Sequence, residues 1–281
     1  MLTVTTAQAM NALSREWKTS GRTIGFVPTM GSLHEGHLSL VRESKKRAAA
    51  TAVSIFVNPA QFGPKEDYKK YPRDFARDAA LLEKEGVDAV FFPTAEEMYP
   101  RGYKTYITVQ DIEDRLCGKS RPGHFRGVAT VVLKLFNIVE PDMAFFGWKD
   151  AQQVIILLRM AADLNLGTEI VACPLVRETD GLAMSSRNAY LSRDERKAAL
   201  VLSRSLAKAE KLIKAGERDA GRLAGFIREM IGAERLARID YVEITDMTEL
   251  RPLDRLEGEA LIALAVYIGT TRLIDNVRVR V

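Results

Sequence analysis

The sequence is poor in several things, and each shortage narrows what the protein can do. Only two of its 281 residues are cysteine. Cys117 and Cys173 lie far apart without metal-type spacing, so a reduced, cytoplasmic protein is expected and neither thiol is assigned a role. The longest uncharged apolar runs, such as Ala260–Tyr267, are far too short to span a bilayer. Met1–Trp17 has no charged start followed by an apolar stretch, so no secretory signal is expected. Lys and Arg total 41 against 37 Asp and Glu, a net charge of +4 spread along the chain. With no polybasic block and no platform of interleaved aromatic and basic residues, nucleic acid is not expected as a partner. There is no internal repeat, low-complexity segment or coiled-coil heptad.

What is present describes a large globular chain. Hydrophobic residues make up 47% and charged residues 28%, enough apolar material for a substantial core, and the length favours two domains. Thr23–Val27 is β-branched and apolar, Pro28 and Gly31 interrupt it, and Leu38, Val41 and Lys45 then recur at helical spacing, which makes a strand, a turn and a helix. A second buried strand is predicted over Thr51–Val57 and a third over Ala89–Phe92. A helical stripe of Phe75, Ala79 and Leu82 lies between them. Pro93–Gly127 is rich in Gly, Pro and charge, with a short strand expected at Tyr106–Val109. From Val128, a stripe of Val131, Val132, Leu135 and Val139 predicts a helix that Glu140-Pro141 ends. Short strands follow at Ala144–Phe146 and Thr168–Ala172, with a helix marked by Val154, Leu157, Leu158 and Ala161 between them.

Repeated strand and helix units of this length predict an α/β fold, a doubly wound parallel sheet whose ligand belongs at the carboxyl ends of the strands. The pattern changes after Val176. Ser192 with Glu195 is a capping-box signature opening a long helix, a second helix is expected over Ala220–Ile231, and three strand-like runs follow at 239–245, 260–267 and 273–279. Residues 1–176 are therefore expected to form the sheet domain and 177–281 a smaller α+β domain closing over the site.

Histidine occurs only three times, and two of the three, His34 and His37, flank the start of one predicted helix with Gly36 between them. Such a junction leaves helical amides without backbone partners and adds a partial positive charge, which attracts phosphate. Other readings stand beside this one. A metal pair would need its histidines on one helical face, whereas only Glu35 and Gly36 intervene here. Both rings could be polar surface or capping groups. A dinucleotide site would need a three-glycine fingerprint that is missing.

Further stretches bear on chemistry. Gly118–Gly127 places Lys119, Arg121, Arg126 and His124 among three glycines, suited to a mobile cationic flap over a phosphate or carboxylate, or to an ordinary solvated loop. Gly147-Trp148-Lys149-Asp150 follows a strand and precedes a helix, so Lys149 could reach phosphates while Asp150 caps the helix or bonds a ribose hydroxyl. Gln61 and Gln153 could hold a small hydroxy acid if both face one cleft. Met184-Ser185-Ser186-Arg187-Asn188 offers two hydroxyls and a guanidinium to a polyphosphate, or is a serine-rich hinge.

In order along the chain, Pro28-Thr29-Met30-Gly31-Ser32-Leu33-His34-Glu35-Gly36-His37, Phe56-Val57-Asn58-Pro59-Ala60-Gln61-Phe62, Gly123-His124-Phe125-Arg126-Gly127, Lys149-Asp150 with Gln152-Gln153, and Met184–Asn188 together resemble the pantothenate synthetase (pantoate–β-alanine ligase) family. Its His-x-Gly-His pattern is shared with many nucleotidyltransferases. The likeness covers most of the chain and is densest to about Leu191. One departure is Trp148, where the family often has Glu or Gln.

The resemblance implies a Rossmann-like fold and a two-step reaction. Pantoate and ATP give pantoyl adenylate and pyrophosphate, and the amine of β-alanine then displaces AMP. It assigns His34 and His37 to the phosphates and to charge developing at the α-phosphorus, with His37 as proton donor. Lys149 and Arg187, with Ser185 and Ser186, are assigned to the leaving pyrophosphate. The ATP site is expected to comprise Met30 to His37 (Met30, Gly31, Ser32, Leu33, His34, Glu35, Gly36, His37), Gly147, Trp148, Lys149, Asp150, Val176 and Met184 to Arg187. Gln61, Gln153, Asn58, His124 and Arg121 are expected at pantoate and β-alanine. Mg2+ is expected on the nucleotide without an all-protein cage, and the family resemblance suggests a homodimer. The rivals are another nucleotidyltransferase of this type and a non-catalytic nucleotide-binding protein.

Overall fold

A computed structural model describes residues 1–64 and 66–281. The chain divides into two compact units: Met1–Glu113, Arg121–Trp148 and Ile156–Pro174 form the first, and Asp114–Ser120, Lys149–Ile155 and Leu175–Val281 the second. Among the described residues no helix is long and apolar enough to cross a membrane.

The first unit contains β1 (Leu2–Val4), α1 (Ala7–Thr19), β2 (Ile24–Thr29), α2 (Glu35–Arg47), β3 (Ala50–Ile55), α3 (Phe75–Lys84), β4 (Ala89–Phe91) and the short α4 (Ala95–Met98). After the one-turn α5 (Cys117–Ser120), whose residues group with the second unit, come α6 (His124–Val139), β5 (Met143–Gly147), α7 (Ala151–Asp163), whose residues up to Ile155 also group with the second unit, and β6 (Glu169–Cys173). The six strands form one sheet in the order β1-β4-β3-β2-β5-β6, with all neighbours parallel. Strand order reverses between β2 and β5, so the ligand crevice of such a sheet lies outside their carboxyl ends. β2 and β3 are almost wholly buried, which is why they read as continuous apolar runs rather than alternating ones.

Packing on one face of the sheet is set by residues such as Val27, Leu33, Val41, Val53, Leu82 and Phe145. α6 carries the expected stripe, with Val128, Val131, Val132, Leu135 and Val139 all buried.

One strand is unexpected, and two local expectations differ from what forms. β1 pairs with β4 although its three residues are too few to show a period. Tyr106–Val109 makes no strand: Ile107 N–H donates to Thr130 Oγ1 on α6 at 2.9 Å, so a side chain satisfies the backbone in place of a neighbouring strand. α6 begins at His124, one turn before the apolar stripe, because Gly123 takes a left-handed conformation (φ 78°) that turns the chain into the helix.

The second unit is built on α8 (Arg193–Lys214), α9 (Ala220–Gly232) and an antiparallel sheet of β7 (Ala237–Asp246), β8 (Glu259–Ile268) and β9 (Thr271–Arg280), in the order β7-β8-β9. The capping box is present: Ser192 Oγ accepts the Glu195 amide and Glu195 accepts the Ser192 amide. Leu202, Leu206, Leu223, Ile227, Val242, Ile262 and Leu264 form its core.

Candidate active site

β2 runs out at Thr29, and the next three residues turn the chain toward α2. Thr29 Oγ1 donates to Ser54 O at 2.7 Å and accepts the Gly31 amide at 3.1 Å. Gly31 (φ 80°) and Ser32 (φ 51°) are both left-handed, a pairing that turns successive amides to one side. Those amides meet a carboxylate of the protein itself. Asp78, in α3, accepts the Ser32 and Leu33 N–H groups at 2.7 and 2.8 Å with its side chain 2% exposed. Burial pushes the Asp78 carboxyl above its ordinary range, against the pull of the two amides. The amides of Ser32 and Leu33 are thus taken by Asp78, and the groups left to meet an anion at this helix start are its side chains and later amides.

His34 is the N-cap of α2 and His37 is its third residue. Their rings lie 4.1 Å apart between centroids, tilted by 34°. His37 Nδ1 accepts the His34 amide in a long contact of 3.4 Å, so in the neutral ring the proton sits on Nε2. Glu35 is directed elsewhere, its carboxylate being paired with Arg42, which also binds Glu85.

Gln61 belongs to a 3-10 turn (Pro59–Gln61) that α6 can approach only because residue 127 is glycine. A Cβ there would collide with the Ala60 carbonyl oxygen. Asn58, 1% exposed, locks the turn. Its Nδ2 donates to Gln61 Oε1 (3.1 Å) and Gly127 O (3.0 Å), and its Oδ1 accepts Tyr99 Oη–H (2.8 Å) and the Ala60 amide (3.2 Å). All four hydrogen-bonding positions of that amide are used inside the protein. Asn58, expected at the substrate, therefore orients Gln61, whose Nε2 faces Met30 Sδ at 3.1 Å.

Arg121 and His124 complete this group. Arg121 grips Glu66 through Nε (2.7 Å) and Nη2 (2.6 Å), and its Nη1 lies 3.0 Å from His124 Nε2. Because a guanidinium only donates, Nε2 accepts, and Nδ1–H then donates to Gln61 O at 2.8 Å. Burial alone would raise the Glu66 carboxyl, but Arg121 outweighs it and holds the group below the usual range. The expectation of a mobile flap over 118–127 gives way here. Cys117–Ser120 is a helical turn, His124 opens α6, and Arg121 and His124 are bound to the Gln61 turn. Arg126 lies over the Tyr106 ring at 4.7 Å.

A cavity of about 380 Å³ lies beside the Met30–Gly31 turn, lined by Ile55, Phe56, Tyr68, Phe75, Asp78 and Phe92 among others. Neither histidine lines it.

After Gly147 a 3-10 turn (Trp148–Asp150) leads into α7. Trp148 is 8% exposed, so the unusual residue of this turn is packed inward. Lys149 Nζ lies 3.5 Å from Asp150 Oδ1. The two glutamines that follow separate in role. Gln152 is buried and ties backbone to backbone, accepting the Cys117 amide (2.9 Å) and donating to Arg115 O (2.7 Å), whereas Gln153 is half-buried.

In the second unit, Val176 and Met184 lie side by side, the Met184 amide donating to Val176 O at 3.1 Å across a hairpin whose tip is Gly181 (φ 96°). Ser185 caps the 3-10 helix Ser186–Tyr190, its side chain accepting the Arg187 amide at 3.3 Å.

Within the first unit, Met30, Asn58, Gln61, Arg121 and His124 come together; within the second, the hairpin brings Val176 to Met184, with Ser185–Arg187 directly after it. Three contributors escaped sequence reasoning: Asp78, Glu66 and Tyr99. Only Asp78 left a signal, a charged residue four positions before Leu82 on the buried side of α3. Among the described residues no three His, Cys, Asp or Glu side chains gather as a metal-binding group.

A parallel sheet with a left-handed turn and paired imidazoles outside its switch point defines a nucleotide-binding α/β enzyme of the His-x-Gly-His type. The family model described as pantoate-beta-alanine ligase matches residues 2–278. The pantothenate synthetase of Pelotomaculum thermopropionicum is 61% identical over 276 residues, 98% of each chain. A crystal structure of the Thermus thermophilus enzyme superposes with a TM-score of 0.94 at 44% identity, covering 99% of both chains. That of the Francisella tularensis ligase, described as complexed with beta-gamma ATP and beta-alanine, gives 0.79 at 34%, covering 99% of this chain and 97% of that one. The chain belongs to the pantoate–β-alanine ligase family, and is an ATP-dependent ligase that joins pantoate to β-alanine to form pantothenate.

Proposed function

We propose that the residues described above divide the two chemical steps between them as follows. A pantoate carboxylate oxygen attacks the α-phosphorus of ATP and pyrophosphate leaves; the amine nitrogen of β-alanine then attacks the acyl carbon and AMP leaves. The first step brings two anions together and develops further charge on the phosphoryl oxygens, so oriented donors and cations serve it better than a protein nucleophile. His37 donates from its Nε2–H to the α-phosphoryl oxygens. His34 stacks beside it and contacts the phosphates. Lys149 and Arg187, with Ser185 and Ser186, receive the pyrophosphate, while Val176, Met184, Gly147 and Asp150 bind the adenosine.

Gln61, held by Asn58 and by the Arg121–His124 pair, binds the hydroxy acid together with Gln153, and lies near the incoming β-alanine. Mg2+ enters with ATP, held by nucleotide oxygens and water, where it neutralises phosphate charge. The enzyme acts in the cytoplasm as a homodimer.

The observation that carries this reading is the pair of imidazoles 4.1 Å apart at the start of α2. The test has two parts. Pantoate alone should support exchange of labelled pyrophosphate into ATP, and AMP should accumulate only when β-alanine is added. Pyrophosphate release that never needs an amine would point to another nucleotidyltransferase, and nucleotide binding without turnover to a non-catalytic protein.

A further inference from the structure

β9 is an edge strand of the small sheet, and its burial pattern is odd for one. Asp275 and Asn276 are adjacent polar residues, 2% and 7% exposed. Successive residues of a strand point to opposite faces, and these two reach different loops of the same unit.

Asp275 accepts a two-pronged ion pair from Arg177, Nη1 at 2.7 Å and Nη2 at 3.0 Å. Arg177 is the residue after Val176. It bridges to Ala183 across the hairpin, and its Nη1 also donates to Gly181 O at the tip (3.1 Å). Asp275 therefore fixes the hairpin that sets Val176 beside Met184. Asn276 faces the other way, its Nδ2 donating to the backbone carbonyl of Lys149 at 3.0 Å. The two residues are joined to each other, since the Asn276 amide donates to Asp275 Oδ1 at 2.8 Å.

Stability alone does not account for such groups. A buried ion pair contributes little more than apolar residues of the same volume, and often less. What a forked Arg–carboxylate contact and a single aimed amide add is direction. Both fix the backbone of loops assigned above to the nucleotide, 98 and 127 residues away in sequence.

We propose that Asp275 and Asn276 are positioning residues for adenylate formation: through Arg177 and through the carbonyl of Lys149, they set the adenosine hairpin and the phosphate-binding turn in one register. This rests on the assignment of Val176, Met184 and Lys149 to ATP. Neither residue touches substrate.

The discriminating substitution is Asn276→Asp, which keeps the shape but loses the donor. The introduced carboxylate, ionised at neutral pH, repels the Lys149 carbonyl instead of donating to it. Pyrophosphate exchange should be compared in the wild type, Asn276→Asp, Asn276→Ala, Asp275→Asn and Lys149→Ala, with melting curves for each. We expect the Asn276 variants to stay folded at the assay temperature and to lose about ten- to a hundredfold in exchange rate, the scale of a loop misplaced by an ångström. The KM for ATP should rise and that for pantoate stay within about twofold.

Wild-type ATP kinetics in both Asn276 variants would overturn the proposal. So would deficits that track the fraction unfolded. If Lys149→Ala exchanges normally, it is the assignment of Lys149 to the nucleotide that fails, and with it any action through that residue. An Asp275→Asn variant that does not fold leaves the Asn276 pair as the deciding measurement.

Discussion

Asp78 Oδ2 accepts the amide of Ser32 at 2.7 Å, reaching across 46 residues to hold a left-handed turn in place. With the bond to Leu33, this carboxylate settles where the chain enters α2, and so where His34 and His37 stand.

Replacing Asp78 by alanine leaves two amides with no acceptor at a buried position. The expected cost is about 2–4 kcal/mol of stability, the scale for stranding buried donors, together with a raised KM for ATP. Urea denaturation and steady-state kinetics at a temperature where the variant stays folded would measure the two effects. An unchanged KM would confine Asp78 to stability.

His37→Ala should slow adenylate formation by about a hundredfold or more, the effect of removing one oriented donor at developing charge. Rapid-quench measurement of pantoyl adenylate in the folded variant checks this. An unaltered rate would remove His37 from the chemical step.

Gly127→Ala drives a methyl group into the Ala60 carbonyl oxygen, which is backbone and cannot rotate aside. Overpacking of this kind costs about 1–3 kcal/mol. Because the same turn carries Gln61, the KM for pantoate should rise more than that for ATP. Equal effects on the two constants would separate Gln61 from the hydroxy acid.

The Glu66–Arg121 pair should show itself in the pH dependence of stability. The Glu66 carboxyl is held below its ordinary value in the fold. Its contribution is therefore present above the unfolded carboxyl pKa of about 4.3 and lost as the pH falls through the depressed folded value. The denaturation midpoints of the wild type and of Glu66→Gln should differ at neutral pH and converge on acidification. A gap that widens in acid would mean that the pair does not carry it.

Gln152 and Gln153 are neighbours that should behave differently. Gln152→Ala removes bonds to the Cys117 amide and the Arg115 carbonyl, so it should lower the melting temperature. Gln153→Ala should leave melting unchanged and raise the KM for pantoate. The reverse pattern would exchange their roles.

Much of the fold is legible in short windows because helix and strand formation depends on neighbours a few residues apart. The strand–turn–helix at 23–47, the capping box of Ser192 and Glu195 and the stripe from Val128 to Val139 are patterns of this kind. Leu2–Val4 is not, because a three-residue strand owes its existence to the β4 edge it joins. Nor is the start of α6, where the positive φ of Gly123 decides the matter and composition alone reads as loop.

From the order of its residues alone the chain determined an α/β sheet domain followed by an α+β segment, the paired histidines at a helix start, and the motifs by which its family is known. Only tertiary structure decided that Asn58 serves Gln61, that Arg121 and His124 are bound in place, that Gln152 is internal, and that Asp78, Asp275 and Asn276 hold the loops. A buried polar group must find its partner wherever the fold brings one. Each of these residues has a partner tens to more than a hundred positions away, where no local pattern records it.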